Sequence, residues 1–163
     1  MTIDVSGGFI DPLWAAEFRG YFFGDGYLGI VRNGRSKGTG LSSSTARAQI
    51  TTRDDDAAML YDISSRLGGS LSFTVATGGR VHCPVAIWRT RNAADVLRVC
   101  DVLDGGMMPS KKIAEIAVVR RYLSIKIPPG PSTALTLTLR QERDLLIDEI
   151  QRLHSYRKLA TGR

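Results

Sequence analysis

The alternation of polar and apolar positions changes period several times along this chain, and each change marks an element. Asp11-Pro12 opens a helix: the Asp suits the cap and the Pro the first helical position. The helix runs from about Leu13 to Gly24. Tyr27 to Asn33 is short and apolar-rich, which predicts a strand, and "NGRSKGTGLSSST" (Asn33 to Thr45) predicts a basic, Gly/Ser-rich loop. From Arg47 to Arg53 the residues alternate strictly. Arg47, Gln49, Thr51 and Arg53 share one face, and Ala48 and Ile50 the other.

The stretch "DDDAAMLYDISSRLGG" predicts a helix with its acids at the N-terminus, Leu60, Ile63 and Leu67 as the apolar stripe, and Gly68 as the stop. Ser70, Ser72 and Thr74 then alternate with Leu71, Phe73 and Val75. This predicts a hairpin that turns at Thr77-Gly78-Gly79 and returns through "GRVHCPVAIW". Asn92 caps a further helix carrying Val96, Val99, Cys100 and Leu103, and "DGGMMP" ends it. Another helix covers Ser110 to Leu123, with Ile113, Ile116 and Val119. "PPGP" (Pro128 to Pro131) reads as a rigid linker before a last helix, from about Thr138 to Tyr156, with Leu146, Ile150 and Leu153 on one side.

The order predicts an α+β fold in one domain, residues 1–163, with a core over about 11–125 and a C-terminal linker and helix over about 126–160. A twisted antiparallel sheet with one polar face, its other face covered by helices, fits the pattern. Length and an apolar fraction of 43 % allow a real core and exclude a disordered chain. No apolar run approaches the ~20 residues of a membrane-spanning helix, and no secretory signal is visible, so a cytoplasmic protein with no membrane partner is expected. Cys83 and Cys100 lack metal-ligand spacing and read as buried free thiols. Arginine far outnumbers lysine, which hints at a bacterial or phage coding genome more than an organellar one.

Net charge is +6, and its distribution says more than its size. Tyr27 to Arg53 holds Arg32, Arg35, Lys37, Arg47 and Arg53 and no acid. Gly69 to Ala94 holds Arg80, Arg89, Arg91 and His82, again with no acid. All sixteen acids lie elsewhere. Both stretches fall on the predicted strands, so the sheet carries the positive face. Such a face suits phosphates, and a two-stranded ribbon is narrow enough for the DNA major groove.

The first helix contains the oddest placement. Asp25 sits at its C-terminus, where backbone carbonyls already make an acid unfavourable. Gly20 and Gly24, four apart, lie on one face, although glycine costs up to ~1 kcal/mol per helical position. Two glycines on one face point to the close approach of another backbone, either a neighbouring helix of the same chain or a second copy.

The stretch "FRGYFFGDG" resembles the nine-residue signature of the LAGLIDADG homing endonucleases, with Gly20, Gly24, Asp25 and Gly26 at its third, seventh, eighth and ninth positions. "AQITTRDD", "LYDISSRLGG", "GRVHCPVAIW" and "MMPSKKIAEI" resemble later segments of the same family, so the likeness spans roughly Leu13 to Leu123. It implies the αββαββα homing-endonuclease fold. A single copy of the signature implies a homodimer in which Phe18, Gly20, Tyr21 and Gly24 form the helix interface. Arg19, bulky where a small residue is common, must then point away from that interface.

The resemblance further implies a site-specific DNA endonuclease that makes double-strand breaks with short 3′ overhangs at a long, pseudo-palindromic target. Asp25 and the Gly24 carbonyl would hold Mg²⁺. Lys112, or second Lys111, would assist the chemistry, and Thr52 stands where the family often has a water-positioning Gln. Double-stranded DNA would be contacted by Asn33, Arg35, Lys37, Arg47, Gln49, Thr51 and Arg53, then by Ser70, Ser72, Thr74, Arg80 and His82. Two alternatives keep the fold without cutting: an RNA maturase acting on a host intron RNA, or a non-cleaving DNA-binding regulator. A generic α+β domain with a basic surface is a third.

Overall fold

The computed structural model describes residues 4–5, 8–35, 42–75, 84–130 and 133–160. A short strand pair opens the chain, β1 (Asp4–Val5) and β2 (Gly8–Phe9), antiparallel with Asp4 opposite Phe9. There follow α1 (Pro12–Asp25), β3 (Gly26–Arg35), β4 (Ser42–Arg53), a 3-10 turn at Asp54–Asp56, α2 (Ala57–Leu67), β5 (Ser70–Val75), β6 (Pro84–Arg89), α3 (Ala93–Asp104), α4 (Ser110–Ser124) and α5 (Ala134–Ala160). The longer strands form one four-stranded antiparallel sheet in the order β3-β4-β6-β5. This is the predicted α+β order, with β1 and β2 as an unforeseen addition.

The chain divides into two compact units: Met1–Leu28 with Arg47–Met108, and Gly29–Ala46 with Pro109–Arg163. Strands β3 and β4 each contribute residues to both.

In the first unit, α1 begins as the sequence requires, with the Asp11 carboxylate accepting from the Leu13 N–H at 2.8 Å and Pro12 at the first position. Its inner side is aromatic. Phe18 and Phe22 are fully buried; Trp14 stacks on Phe18 at 5.4 Å between ring centroids, and Phe18 on Phe22 at 5.5 Å. The Trp14 indole N–H donates to Asp62 of α2 at 2.5 Å, Arg66 Nε donates to the same carboxylate at 3.0 Å, and the Arg66 guanidinium lies over the Trp14 ring. Burial pushes the Asp62 carboxyl up, but the hydrogen bonds from Arg66 and Trp14 and the Arg66 charge outweigh it and hold it below its ordinary value of 3.8.

Helix α2 buries Leu60, Ile63 and Leu67 and packs on β5 and β6. It stops at Gly68, whose φ of 78° is a conformation that favours glycine. The Gly68 carbonyl accepts from the buried Trp88 indole at 2.8 Å. Asn92 caps α3 by accepting from the Asp95 N–H, while the buried Asp95 carboxylate accepts from the Arg91 N–H. Both bonds tie down the N-terminal turn of α3.

In the second unit, α4 buries Glu115, Ile116, Val118, Val119 and Tyr122. Ile113, expected in its apolar stripe, is instead half exposed. Helix α5 returns along α4 and buries Leu146, Ile147 and Ile150. The Arg143 guanidinium lies over the Tyr122 ring at 4.7 Å and donates to the Ile125 carbonyl; Arg121 pairs with Glu142 at 3.1 Å. Tyr122 also donates to the Ser44 carbonyl at 2.8 Å. The expected loop over Asn33 to Thr45 is shorter at both ends: strand pairing reaches Arg35 and begins again at Ser42.

Among the described residues, no helix is long and apolar enough to cross a membrane. Cys100 is buried, as expected. Cys83 lies outside the described residues.

Candidate nucleic-acid interface

The register of the sheet fixes which side chains stand together. In β4, β6 and β5, Gln49 lies opposite Arg89 and Arg89 opposite Ser70; Thr51 lies opposite Ile87 and Ile87 opposite Ser72; Arg53 lies opposite Val85 and Val85 opposite Thr74. Directly opposed residues share a face, so these nine form one surface. Ala48, Ile50, Ala86 and Trp88, all buried, occupy the other face. The side-chain alternation read from the sequence is therefore real. Arg47 shares the parity of Gln49 on β4.

The polar surface is internally ordered. Arg89 Nε donates to Gln49 Oε1 at 2.8 Å, and Gln49 Nε2 donates to Thr51 Oγ1 at 3.1 Å. Arg53 pairs with Asp55 at 3.2 Å, both largely exposed, a contact of little energetic weight that an incoming phosphate could displace. Ser70, Ser72 and Thr74 are exposed. Arg89 is the residue that the candidate set omitted. Its signal was present in the period-two pattern Val85, Ile87, Arg89, but the apolar neighbours on that face hid it.

Thr52 belongs elsewhere. It lies opposite Ala86, with the parity of Ile50, on the face away from Gln49 and Arg53. Val85 and Ile87 also make the centre of the surface less polar than expected.

In the second unit, Asn33 Nδ2 donates to Thr45 Oγ1 at 2.8 Å and to Ser43 Oγ at 3.3 Å. Arg32, one residue earlier, pairs with Asp148 of α5 at 2.9 Å. One of the cations in the acid-free stretch is thus engaged by a helix. Lys37, Arg80 and His82 lie outside the described residues, and for Arg35 only the backbone is described.

The C-terminal end of α1 returns to the first unit. Asp25 is exposed, and among the described residues its carboxylate has no hydrogen bond or ion pair. Gly20 and Gly24 are exposed as well. A Cβ added at either would meet no described residue within 4 Å. Among the described residues, the glycines are therefore not used for close packing. Gly26 differs: a Cβ there would lie 2.4 Å from the Phe22 carbonyl oxygen and against the Phe22 ring. Of the expected interface residues, Phe18 is corrected, since it is 1 % exposed in the aromatic stack on the opposite side of the helix. Tyr21 is half-buried. Arg19 donates to the Val102 carbonyl of α3 at 3.0 Å and so points away from the glycine face.

Divalent magnesium prefers hard oxygen ligands and keeps several waters. Asp25 supplies a carboxylate at a helix end whose last carbonyls lack helical donors, so the donor chemistry fits. Among the described residues, no three His, Cys, Asp or Glu side chains come together within one chain.

Lys111 and Lys112 lie at the N-terminus of α4, in the second unit, both within reach of Glu115.

These features together define a class. The chain has the LAGLIDADG homing-endonuclease fold, with Asp25 at the end of the first helix. Among solved structures it is similar to the homing endonuclease I-CvuI in complex with its target in the presence of calcium: 15 % identity over 87 % of this chain and 82 % of that chain, TM-score 0.68. It is likewise similar to the archaeal intron-encoded homing endonuclease I-Vdi141I complexed with DNA (13 % identity, 86 % and 84 % covered, TM-score 0.65). The LAGLIDADG homing endonuclease I-GzeII in complex with its DNA target also matches (14 % identity, TM-score 0.62), and there 85 % of this chain covers only 44 % of the other. No protein-family model matches the sequence, and no curated protein matches it.

Proposed function

We propose that the protein is a site-specific DNA endonuclease that works as a homodimer. Two copies of α1 pack along their Gly20/Gly24 faces, and each delivers an Asp25 to a shared centre. The observation that carries this reading is the glycine face left open by the described residues, beside an exposed Asp25 that none of them pairs. A packing role within the chain would have filled the space over the glycines, and a turn role would not call for an acid against the helix dipole.

The double-stranded DNA lies on the polar sheet face. Gln49, Thr51, Arg53, Arg89, Ser70, Ser72 and Thr74 reach base edges and phosphates, joined by Arg47 and Asn33. Asp25 and the Gly24 carbonyl would hold Mg²⁺, which when bound supplies water activation and stabilises the leaving oxygen. The chain's own residues do the rest. The sheet fixes the register of the duplex, and the two carboxylates fix where the scissile phosphates sit. A lysine of the "SKK" pair balances charge on a DNA phosphate. Water attacks phosphorus, the bond to one sugar oxygen breaks, and that oxygen leaves as a hydroxyl. One event per strand gives the double-strand break, with short 3′ overhangs at a pseudo-palindromic target.

A cleavage selection on randomised double-stranded DNA with Mg²⁺ tests this. Recovery of one long, roughly palindromic site is the expected outcome. Steeply salt-dependent DNA binding with no cut in any divalent metal would replace the nuclease by a non-cleaving regulator. Absence of DNA binding together with rescue of host-intron splicing would favour the maturase.

A further inference from the structure

Three side chains on the polar sheet face hold one another in a fixed order. Gln49 of β4 lies opposite Arg89 of β6. Arg89 Nε donates to Gln49 Oε1 at 2.8 Å, and Gln49 Nε2 donates to Thr51 Oγ1 at 3.1 Å. A guanidinium offers only donors, so only the amide oxygen can face it. The amide is thereby locked, since turning it over would set an NH₂ group against an N–H. Asn33 makes the contrast. Among the described residues its amide bonds only to the hydroxyls of Thr45 and Ser43, which donate or accept alike, so neither fixes which way round it stands.

The locked order decides what the cluster offers. Gln49 Oε1 is taken by a cation. The capacity left over is mainly donor: the second Nε2–H of Gln49, the Thr51 hydroxyl proton, and the Nη groups of Arg89, which have no hydrogen bond or ion pair among the described residues. Arg89 is half-buried on an inner strand, and its other cross-strand neighbour is the small, polar Ser70. Neither Tyr27 to Arg53 nor Gly69 to Ala94 contains an acid. A half-buried guanidinium that no described carboxylate pairs is ready for an acceptor from outside the chain.

In the major groove, guanine alone presents two neighbouring acceptors, N7 and O6. Adenine sets an amine beside its N7, thymine has the single O4 acceptor beside a methyl, and cytosine shows an amine. An amine would meet the guanidinium donor to donor. With Nε already used, the two Nη groups form the free end of the fork, and their spacing suits O6 and N7.

We propose that this cluster reads guanine: Arg89 is the base-contacting residue, and Gln49, braced by Thr51, is the positioning residue that sets the plane of its guanidinium. One base of the target is thereby specified. The assignment rests on the proposed function only as far as the sheet meeting a DNA duplex; cleavage is not required.

The test is selection of bound duplexes by the full chain from a randomised double-stranded DNA pool in metal-free buffer, which reads binding apart from cleavage. Titrations with each base pair at the selected positions follow. Wild type should fix guanine at one position in each half of the site, where any other base weakens binding roughly 10–100-fold. Arg89→Ala should bring all four base pairs at that position within about threefold of one another and leave preferences elsewhere unchanged. Arg89→Lys should keep the salt slope yet lose most of the guanine preference, because a point charge replaces the fork. That variant decides the matter even where alanine compromises folding. Gln49→Met should lower the preference roughly threefold to tenfold, the worth of one hydrogen bond. Gln49→Glu keeps an oxygen against Arg89, so it should retain the preference while affinity for every duplex falls.

A selected site in which no guanine depends on Arg89, or an Arg89→Ala protein weakened equally at every position, would overturn the assignment and leave Arg89 a phosphate contact. A preference lost in Gln49→Met but kept in Arg89→Ala would overturn the two roles. A chain that binds no duplex would overturn the DNA reading itself. A chain that selects guanine through Arg89 yet never cuts in Mg²⁺ would remove the nuclease alone.

Discussion

Two helix ends in this protein carry charge of the unfavourable sign, and they resolve it differently. At the N-terminus of α4, Lys112 is explained by the chain itself: it neutralises the buried Glu115 at 2.6 Å. At the C-terminus of α1, Asp25 is exposed beside two glycines over which no described residue lies. A misplaced charge with a buried partner is architecture. A misplaced charge left unpaired on an open, glycine-lined face is a site that something outside the chain completes.

The comparison can be broken most severely at Asp25. Asp25→Asn should reduce Mg²⁺-dependent cleavage by about 10³-fold or more while DNA binding persists. The same variant should fold slightly better, by about 0.3–1 kcal/mol, because the acid opposes the helix dipole. Cleavage kinetics and a denaturant titration check the two halves. A destabilised Asp25→Asn protein would place Asp25 with Lys112 as architecture.

Gly26 sharpens the contrast with its neighbours. Gly26→Ala should cost about 1–3 kcal/mol of folding stability, because its Cβ would overlap Phe22. Gly20→Ala should instead leave folding unchanged or improve it by up to ~1 kcal/mol. Thermal melting of dilute protein separates them.

On the polar face, Arg89→Ala should weaken binding to the selected site by about 1–3 kcal/mol and relax discrimination at the base pairs beneath Gln49, which loses its ordering partner. Titration against matched and mismatched duplexes checks it.

The smallest effect concerns acid stability. The Asp62 carboxyl is held below its ordinary 3.8 in the fold, so the stability it contributes is fully present above that value and lost as pH falls through the lower folded value. Asp62→Asn should flatten the acid limb of a stability profile below about pH 4. The contribution should stay under about 1 kcal/mol because the pair is half exposed.

Where local chemistry decides, the sequence was legible. Asp11-Pro12 set the start of α1, Asn92 the start of α3, Gly68 the end of α2, and strict alternation the two faces of β4. Readings failed where the outcome depends on partners distant in sequence. Phe18 belongs to the signature, yet its side faces Trp14 and Phe22 rather than the glycines. Ile113 has the spacing of a core residue, but the buried side of α4 is turned toward Glu115, Ile116 and Val119. The ends of the basic loop are strand because pairing partners, not Gly and Ser content, decide where a ladder stops. Arg89 was overlooked because Val85 and Ile87 share its face.

The most direct test of the shared site is the mass of the protein in solution. Sedimentation equilibrium should find wild type as a dimer of the 17.8 kDa chain. Gly24→Leu should remain folded, because no described residue occupies that space, and should sediment as a monomer that no longer cuts. A wild-type monomer that cuts both strands, or a Gly24→Leu protein that still dimerises and cuts, would contradict the pairing of two α1 helices at Asp25.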